Sequence, residues 1–223
     1  DIVSEAAKPI VFDYQPQPRQ ALLHRIRCRQ ILYGGAAMGG KSYSLLMGEG
    51  IARCLANPGL QAYLFRRTLP ELEANHLIRL RQLPNEFGTY HETRRQFLFR
   101  NRAVLNAGYA EQESAIKNYQ GREMHLVLVD EAAQWTPLML GFLKGWNRCG
   151  SWKPAPGYEG FFPRFVAASN PGGVGHTYLK RVFMPAGIEP GTAFYDESMK
   201  DPTDPEDKGW LTIYIPSRMA DNK

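Results

Sequence analysis

Cysteine is scarce in this sequence, with Cys28, Cys54 and Cys149 the only three in 223 residues. An odd number without a Cys-x-x-Cys pair argues against both a disulfide framework and a zinc site, and buried free thiols are expected instead. Long apolar runs are also missing: none approaches the about 18 residues that a membrane span requires. There is no internal repeat and no low-complexity tract. The opening "DIVSEAAKPI" is acidic where a secretory leader is basic, and no apolar core follows it. A cytoplasmic protein without a membrane role is the expectation.

What is present is ordinary for a folded domain: 43% hydrophobic and 22% charged residues, long enough for one well-buried core. The net charge of +5 is mild, but it is unevenly spread. Between Phe65 and Arg102 stand eight arginines (66, 67, 79, 81, 94, 95, 100 and 102) against four acidic residues, whereas the stretch from Glu189 to Lys208 is acidic. An arginine band of this kind suits sequence-independent contact with nucleic-acid phosphates, or equally a solvated face or a subunit contact. Nothing resembles a helix-turn-helix or zinc finger.

Short apolar runs recur at 30–35, 61–67, 96–100, 103–109, 125–130, 164–170 and 211–217. Several are continuous rather than alternating, which marks strands buried on both faces of a mainly parallel sheet with helices between them. "KSYSLLMGEGIARCLAN" reads as the first crossover helix, with Leu45, Leu46, Ile51 and Leu55 near a helical period and "NPG" as its stop. The pair 96–100 and 103–109 meets at Asn101-Arg102 and reads as an antiparallel hairpin at a sheet edge. The stretches 149–164 and 184–210 concentrate Pro, Gly and Asp and read as irregular.

The run "ILYGGAAMGGKSYS", Ile31 to Ser44, holds the strongest motif. Gly35-x-x-x-x-Gly40-Lys41-Ser42 matches the P-loop pattern in full, between a strand and a helix. Backbone N–H groups and the helix N-terminus cradle phosphate there, so the side chains must be small; Lys41 would reach the outer phosphates and Ser42 would ligate Mg²⁺. Further on, "HLVLVDEAAQW" delivers Asp130 and Glu131 to the end of a strand, where Asp130 would hold Mg²⁺ through water and Glu131 would activate the attacking water. "FVAASNPGG" places Ser169 and Asn170 at the end of a third strand, suited to sensing the outer phosphate.

In this order, the P-loop "GGAAMGGKS", the strand "YLFRRT", the lead-in "YQGREMHLVLVDEA", the motif "SNPGG" and the closing "IPSRMADN" resemble the N-terminal ATPase domain of large terminase subunits of tailed bacteriophages. The resemblance spans nearly the whole chain. It implies an α/β fold: a three-layer P-loop NTPase of the additional-strand catalytic-glutamate type, with a mainly parallel sheet flanked by helices and a small lid-like C-terminal part. It divides the chain into an ATPase core (1–183) and a lid or linker region (184–223) leading toward a nuclease domain not present in the sequence. It implies ATP and Mg²⁺ as cofactors, with Gly35, Gly39, Gly40, Lys41 and Ser42 in the cradle and Glu131, Lys41 and Arg122 as catalytic residues. Arg122 would act in trans as an arginine finger, with Arg148 in reserve. Tyr14 and Gln20 in "YQPQPRQ" resemble the adenine-recognising segment. Where many relatives carry an arginine inside the P-loop, this chain has Ala36, Ala37 and Met38, which leaves the source of that cation open. The partners implied are double-stranded DNA, the portal protein and procapsid, the small terminase subunit and further copies in a ring, all in the host cytoplasm.

Two other readings fit the same motifs. One is a helicase-like or recombinase-like P-loop ATPase. The other is a nucleotide-regulated assembly module that does not hydrolyse, against which Glu131 argues. A signalling GTPase lacks support without an NKxD motif, and a transporter ATPase without an LSGGQ-like segment.

Overall fold

The computed structural model describes residues 12–35 and 40–217. Nine strands form one sheet in the order β3-β4-β5-β2-β6-β7-β1-β9-β8. The parallel part consists of β1 (Gln30–Gly35), β2 (Gln61–Arg66), β5 (Val104–Tyr109), β6 (Leu126–Val129), β7 (Arg164–Ser169) and β9 (Trp210–Ser217). Short antiparallel strands close both edges: β3 (Gly88–His91) with β4 (Gln96–Phe99) on one side, and β8 (Phe194–Asp196) on the other. The expected α/β fold and edge hairpin are therefore present. β3 and β8 are additions to the sequence reading. Each is three or four residues long and only partly buried, so neither carries the apolar run by which the central strands are recognised.

Strand periodicity divides the core. Ile31, Tyr33, Leu64, Leu126, Leu128, Val166, Ile213 and Ile215 face one side, where the helix 41–56 contributes Leu45, Leu46 and Ile51 and the helix 69–81 contributes Leu72, Leu77 and Leu80. Leu32, Phe65, Val127, Val129, Phe165 and Ala167 face the other, against Met139, Leu140 and Leu143 of the helix Pro137–Trp146 and Leu179 and Phe183 of the helix His176–Phe183. Two helical layers on one sheet hide both faces, which is why the central strands need no polar alternation.

The helix after β1 is not uniform. It starts as a single α-turn, Lys41–Ser44, widens into a π-helical stretch, Leu45–Ile51, and ends as Ala52–Ala56. Gly48 lies in the widened part, where a Cβ would come within 2.2 Å of the His24 ring, so glycine lets the helix Pro18–Arg25 pack directly on it. Next to it Glu49, fully buried, is gripped by Arg164 through Nε (2.8 Å) and Nη2 (3.2 Å), with His24 Nδ1 2.8 Å away. Burial would raise the Glu49 carboxyl, but Arg164, Arg53 and His24 overcome it and hold the group well below the usual carboxylate range. Arg164 also donates to the carbonyls of Leu23, Ile26 and Cys28. This network ties the N-terminal segment to the foot of β7. Among the described residues no helix is long and apolar enough to cross a membrane.

Candidate functional site

The register of the parallel strands brings their carboxyl ends to one edge. Gly34 is level with Ser169 and Pro216, while Val129 is level with Phe65 and Ala167. Arg66, Asp130, Asn170 and Gly35 consequently follow one another along that edge, and loops between parallel strands meet ligands there. Gly35 adopts φ 135°, and a Cβ on it would lie 2.0 Å from the Ser217 carbonyl. Gly40, at φ 62°, occupies the left-handed region before Lys41 starts the helix. Of the cradle residues read from the sequence, Gly39 lies outside the described residues, as do Ala36, Ala37 and Met38.

Lys41 is buried; burial pushes its ammonium down, and the charges of Glu131 and Asp130 oppose that shift. Ser42 Oγ donates to Asp130 Oδ1 at 3.0 Å, joining the P-loop helix to the end of β6. The second Asp130 oxygen accepts from Arg66 Nη1 at 2.6 Å and from His76 Nε2 at 2.9 Å. A carboxylate only accepts, so His76 Nε2 carries the proton and the buried Nδ1 has no partner among the described residues. Burial tends to raise the Asp130 carboxyl, but the His76, Arg66 and Ser42 contacts win and keep it below its ordinary range.

Glu131 moves in the opposite direction. Burial raises its carboxyl and the adjacent Asp130 raises it further, only partly countered by Arg66, Asn170 and Lys41. Its backbone is left-handed, φ 49° and ψ 52°, an uncommon conformation for a side chain of this kind. Asn170 Nδ2 donates to Glu131 Oε1 at 2.9 Å, and Ser169 Oγ accepts from the Ala133 N–H at 3.0 Å. The "DEAA" and "SNPGG" segments thus interlock, and Gly173 and Gly175 permit it, since a Cβ on either would lie 2.4–2.5 Å from the carbonyls of Ala133 or Trp135. Two carboxylates with opposed shifts give one group that stays ionised and one poised nearer neutrality.

Ser42 and Asp130 are hard oxygen donors, and among the described residues no group of three or more His, Cys, Asp or Glu could hold a metal by itself. That donor set fits Mg²⁺, which keeps most of its waters and shares its shell with phosphate oxygens, and it fits no zinc or calcium cage.

Of the remaining sequence-read residues, Tyr14 and Gln20 lie by the P-loop helix, whereas Arg122 and Arg148 lie elsewhere, Arg148 beside Met124 at the end of β6 opposite to Asp130. Tyr14 Oη is 2.8 Å from His24 Nε2 and 3.2 Å from Ser44 Oγ, beside the P-loop helix. Gln20 is buried, and its Oε1 accepts from the Gln17 N–H at 3.0 Å as part of a helix cap. Arg122 is exposed and lines a cavity of about 590 Å³ together with Arg94, Arg95, Asn106 and Tyr119, with its guanidinium 5.5 Å from the Tyr119 ring. Arg148 is exposed as well. The arginine band splits: Arg66 faces Asp130, Arg67 donates to the Ala110 and Glu111 carbonyls, and Arg81 pairs with Glu73 and Glu92. Arg94, Arg95, Arg100 and Arg102 stay on the edge hairpin.

His76 and Arg66 are the site residues that motif reading passes over. His76 follows Leu72 and precedes Leu80 by four residues, which places it on the buried stripe of its helix. A lone polar residue on that stripe is the available signal. Arg66 reads from sequence as part of a surface band, although it closes a strand whose preceding residues are buried.

No protein-family profile matches the chain, and no curated protein does. Solved structures do. The large terminase of a thermophilic bacteriophage superposes with a TM-score of 0.63 at 14% identity, over 93% of this chain and 47% of that one. The chain therefore spans about half the length of that terminase. The large terminase ATPase domain of Thermus phage P74-26 gives a TM-score of 0.55 at 14% identity, covering 92% of this chain and 82% of the domain. An arginine-to-alanine mutant of the same domain gives 0.55 at 15%, covering 95% and 84%. Likeness at these identities speaks for architecture: the chain has the fold of the ATPase domain of phage large terminases, with its P-loop motif and its Asp130-Glu131 pair on the sheet edge where that fold gathers loops.

Proposed function

We propose that the chain is an ATP-hydrolysing motor domain of double-stranded DNA packaging, the ATPase part of a large terminase. The observation that carries the reading is the Ser42–Asp130 contact of 3.0 Å, which sets the P-loop helix against the acidic pair, with Asn170 holding Glu131 beside it. In this reading the loop from Gly35 to Gly40 and the N-terminus of the following helix hold the phosphates. Lys41 neutralises the outer oxygens, and Ser42 and Asp130 hold Mg²⁺. Bound Mg²⁺ supplies charge neutralisation and orientation of the phosphates.

Glu131 takes the proton from the attacking water. Its raised pKa makes the ionised carboxylate a better base than an exposed glutamate. Asn170 orients the Glu131 carboxylate through Oε1. An arginine of a neighbouring subunit, Arg122 or Arg148, completes the charge, a contribution worth roughly 10³–10⁵ in rate in other phosphoryl-transfer systems. Tyr14 and Gln20 border the adenine side. Double-stranded DNA, a portal and procapsid, a small terminase subunit and a ring of further copies are the corresponding partners, in the cytoplasm of the host.

The test is steady-state ATP hydrolysis over a wide range of protein concentration, with and without double-stranded DNA, using Glu131→Ala as the blank. Turnover per subunit that rises with concentration and vanishes in the variant is the expected result. Turnover constant per subunit would place the completing cation in the same chain, and strand separation on a forked duplex would favour a helicase.

A further inference from the structure

A second cavity, of about 430 Å³, opens away from the phosphate cradle, between the helices Pro137–Trp146 and His176–Phe183 and the edge strand β8. It shares no lining residue with the cradle. Its walls are Tyr178, Val182, Pro185, Phe194 and Met199, and its charged residues are Lys144, Arg181, Asp196 and Glu197.

Both acids are engaged, Asp196 by neutral donors that leave its charge in place and Glu197 by a cation. Asp196 Oδ2 accepts from Gln30 Nε2 at 2.7 Å, and Oδ1 accepts from the Ser198 N–H (3.1 Å) and Oγ (2.6 Å). Glu197 lies 3.5 Å from Lys200. The two cations are not. Lys144 is only 4% exposed, and Arg181 sits at the mouth of the cavity. Lys144 has aromatic faces for company, with the centroids of Phe165, Tyr178 and Phe183 5.4–5.5 Å from Nζ, and the Arg181 guanidinium is 5.6 Å from the Tyr178 ring. Among the described residues neither cation has a hydrogen-bonded or ion-paired side-chain partner. Ring faces attract an ammonium but accept no conventional hydrogen bond from its three N–H groups, and burying an unpaired charge is expensive. Burial accordingly pushes Lys144 down to about 8, with Asp196 opposing the shift.

We propose that this cavity is a ligand site for a carboxylate carried on an apolar body, with Lys144 as the anchor at its floor and Arg181 at its mouth. With Glu197 paired to Lys200, the two cations Lys144 and Arg181 face the single acid Asp196, so the cavity keeps one net positive charge and the ligand is an anion. One net positive charge is balanced by one carboxylate. A phosphate monoester would bring a second charge and a tighter hydration shell into a space walled by Val182, Pro185, Phe194 and Met199. A carboxylate also matches the planar fork of Arg181. The proposal does not depend on nucleotide binding, so the ATPase reading and this one stand or fall separately.

The test uses the whole chain and three probes of one shape: benzoate, its neutral counterpart benzamide, and phenyl phosphate. Binding is followed by calorimetry, and acetylation of Lys144 by acetic anhydride is followed by mass spectrometry, with the exposed Lys117 as internal reference. Benzoate is expected to bind and to slow Lys144 labelling at least about tenfold without touching Lys117, and benzamide is expected to do neither. Lys144→Met, which keeps the volume and suits the aromatic surroundings, loses benzoate affinity by about tenfold or more, and Arg181→Gln loses several-fold. Should Lys144→Met fail to fold, protection of Lys144 in the unaltered chain decides the question alone. Absence of protection by benzoate, equal binding by Lys144→Met, or a preference for phenyl phosphate would each overturn the proposal.

Discussion

The Arg66 guanidinium stands 2.6 Å from Asp130 Oδ2, and His76 Nε2 reaches the same oxygen at 2.9 Å. With Ser42 Oγ and the Glu131 N–H on Oδ1, the donors around this carboxylate come from four separate points of the chain. Arg66→Met leaves a buried carboxylate without its cation and is expected to cost roughly 3–5 kcal/mol of stability. Combined with Asp130→Asn it should cost clearly less than the sum of the two, as read by urea denaturation of all four chains in a double-mutant cycle. Additive costs would show that the two groups are not coupled.

Acid unfolding reports the same carboxylate. Because the folded-state pKa of Asp130 is depressed, its contribution to stability is complete above the ordinary aspartate value of about 3.9 and is lost as pH falls through the lower folded value. The stability difference between the natural chain and Asp130→Asn should therefore be constant from neutral pH down to about 5 and shrink only at more acid pH.

Hydrolysis should show the opposite tendency. The Glu131 carboxyl is raised, and a base works only when ionised, so the acidic limb of kcat/KM against pH is expected above the range of an exposed glutamate. Asn170→Ala removes the hydrogen bond to Oε1 and should lower kcat by about tenfold or more with little change in nucleotide affinity. Equal loss in binding would make Asn170 a phosphate contact rather than a positioning residue.

Gly35→Ala places a methyl group 2.0 Å from the Ser217 carbonyl at a backbone angle that alanine resists. A loss of more than about 2 kcal/mol is expected, together with weakened nucleotide binding. Gly141→Ala, where a Cβ meets nothing within 4 Å on a helix, is the control and should be neutral or slightly stabilising. Thermal unfolding with and without ATP and Mg²⁺ separates the two effects.

Ser42→Ala removes a donor to Asp130 and the hydroxyl assigned to Mg²⁺. Fluorescent-nucleotide affinity should fall in Mg²⁺ and stay close to unchanged in EDTA, whereas Lys41→Ala should lose affinity in both. A Ser42→Ala variant with undiminished dependence on Mg²⁺ would remove Ser42 from the metal's shell.

Much of this protein can be read from local patterns. Continuous apolar runs locate the six parallel strands, because a strand covered on both faces must be apolar at every position. Gly35, Gly40, Lys41 and Ser42 declare themselves through spacing, because a backbone cradle forbids bulky side chains at fixed steps. The acidic pair is legible because it terminates an apolar strand. These features are each made by a few consecutive residues.

Other features are made only by folding. The sequence offers no reason to pair Arg66 with Asp130, 64 residues away, or His76 with the same oxygen, 54 residues away. The register of β2 against β6 and the burial of one face of the helix 69–81 bring them together. Arg66 and Arg94 look alike in a count of charge, yet one is buried against a carboxylate and the other lines an open cavity. The short edge strands β3 and β8 exist because a neighbour offers unpaired backbone groups, and Lys144 is buried because two helices and β8 close over it. Sequence alone determined which segments would be strands and where the P-loop motif stands between a strand and a helix, because those depend on steric and apolar demands of neighbouring residues. Tertiary structure decided which charges are paired, which are left facing a cavity and which carboxylate stays ionised, because electrostatic energy depends on distance and burial and not on position along the chain.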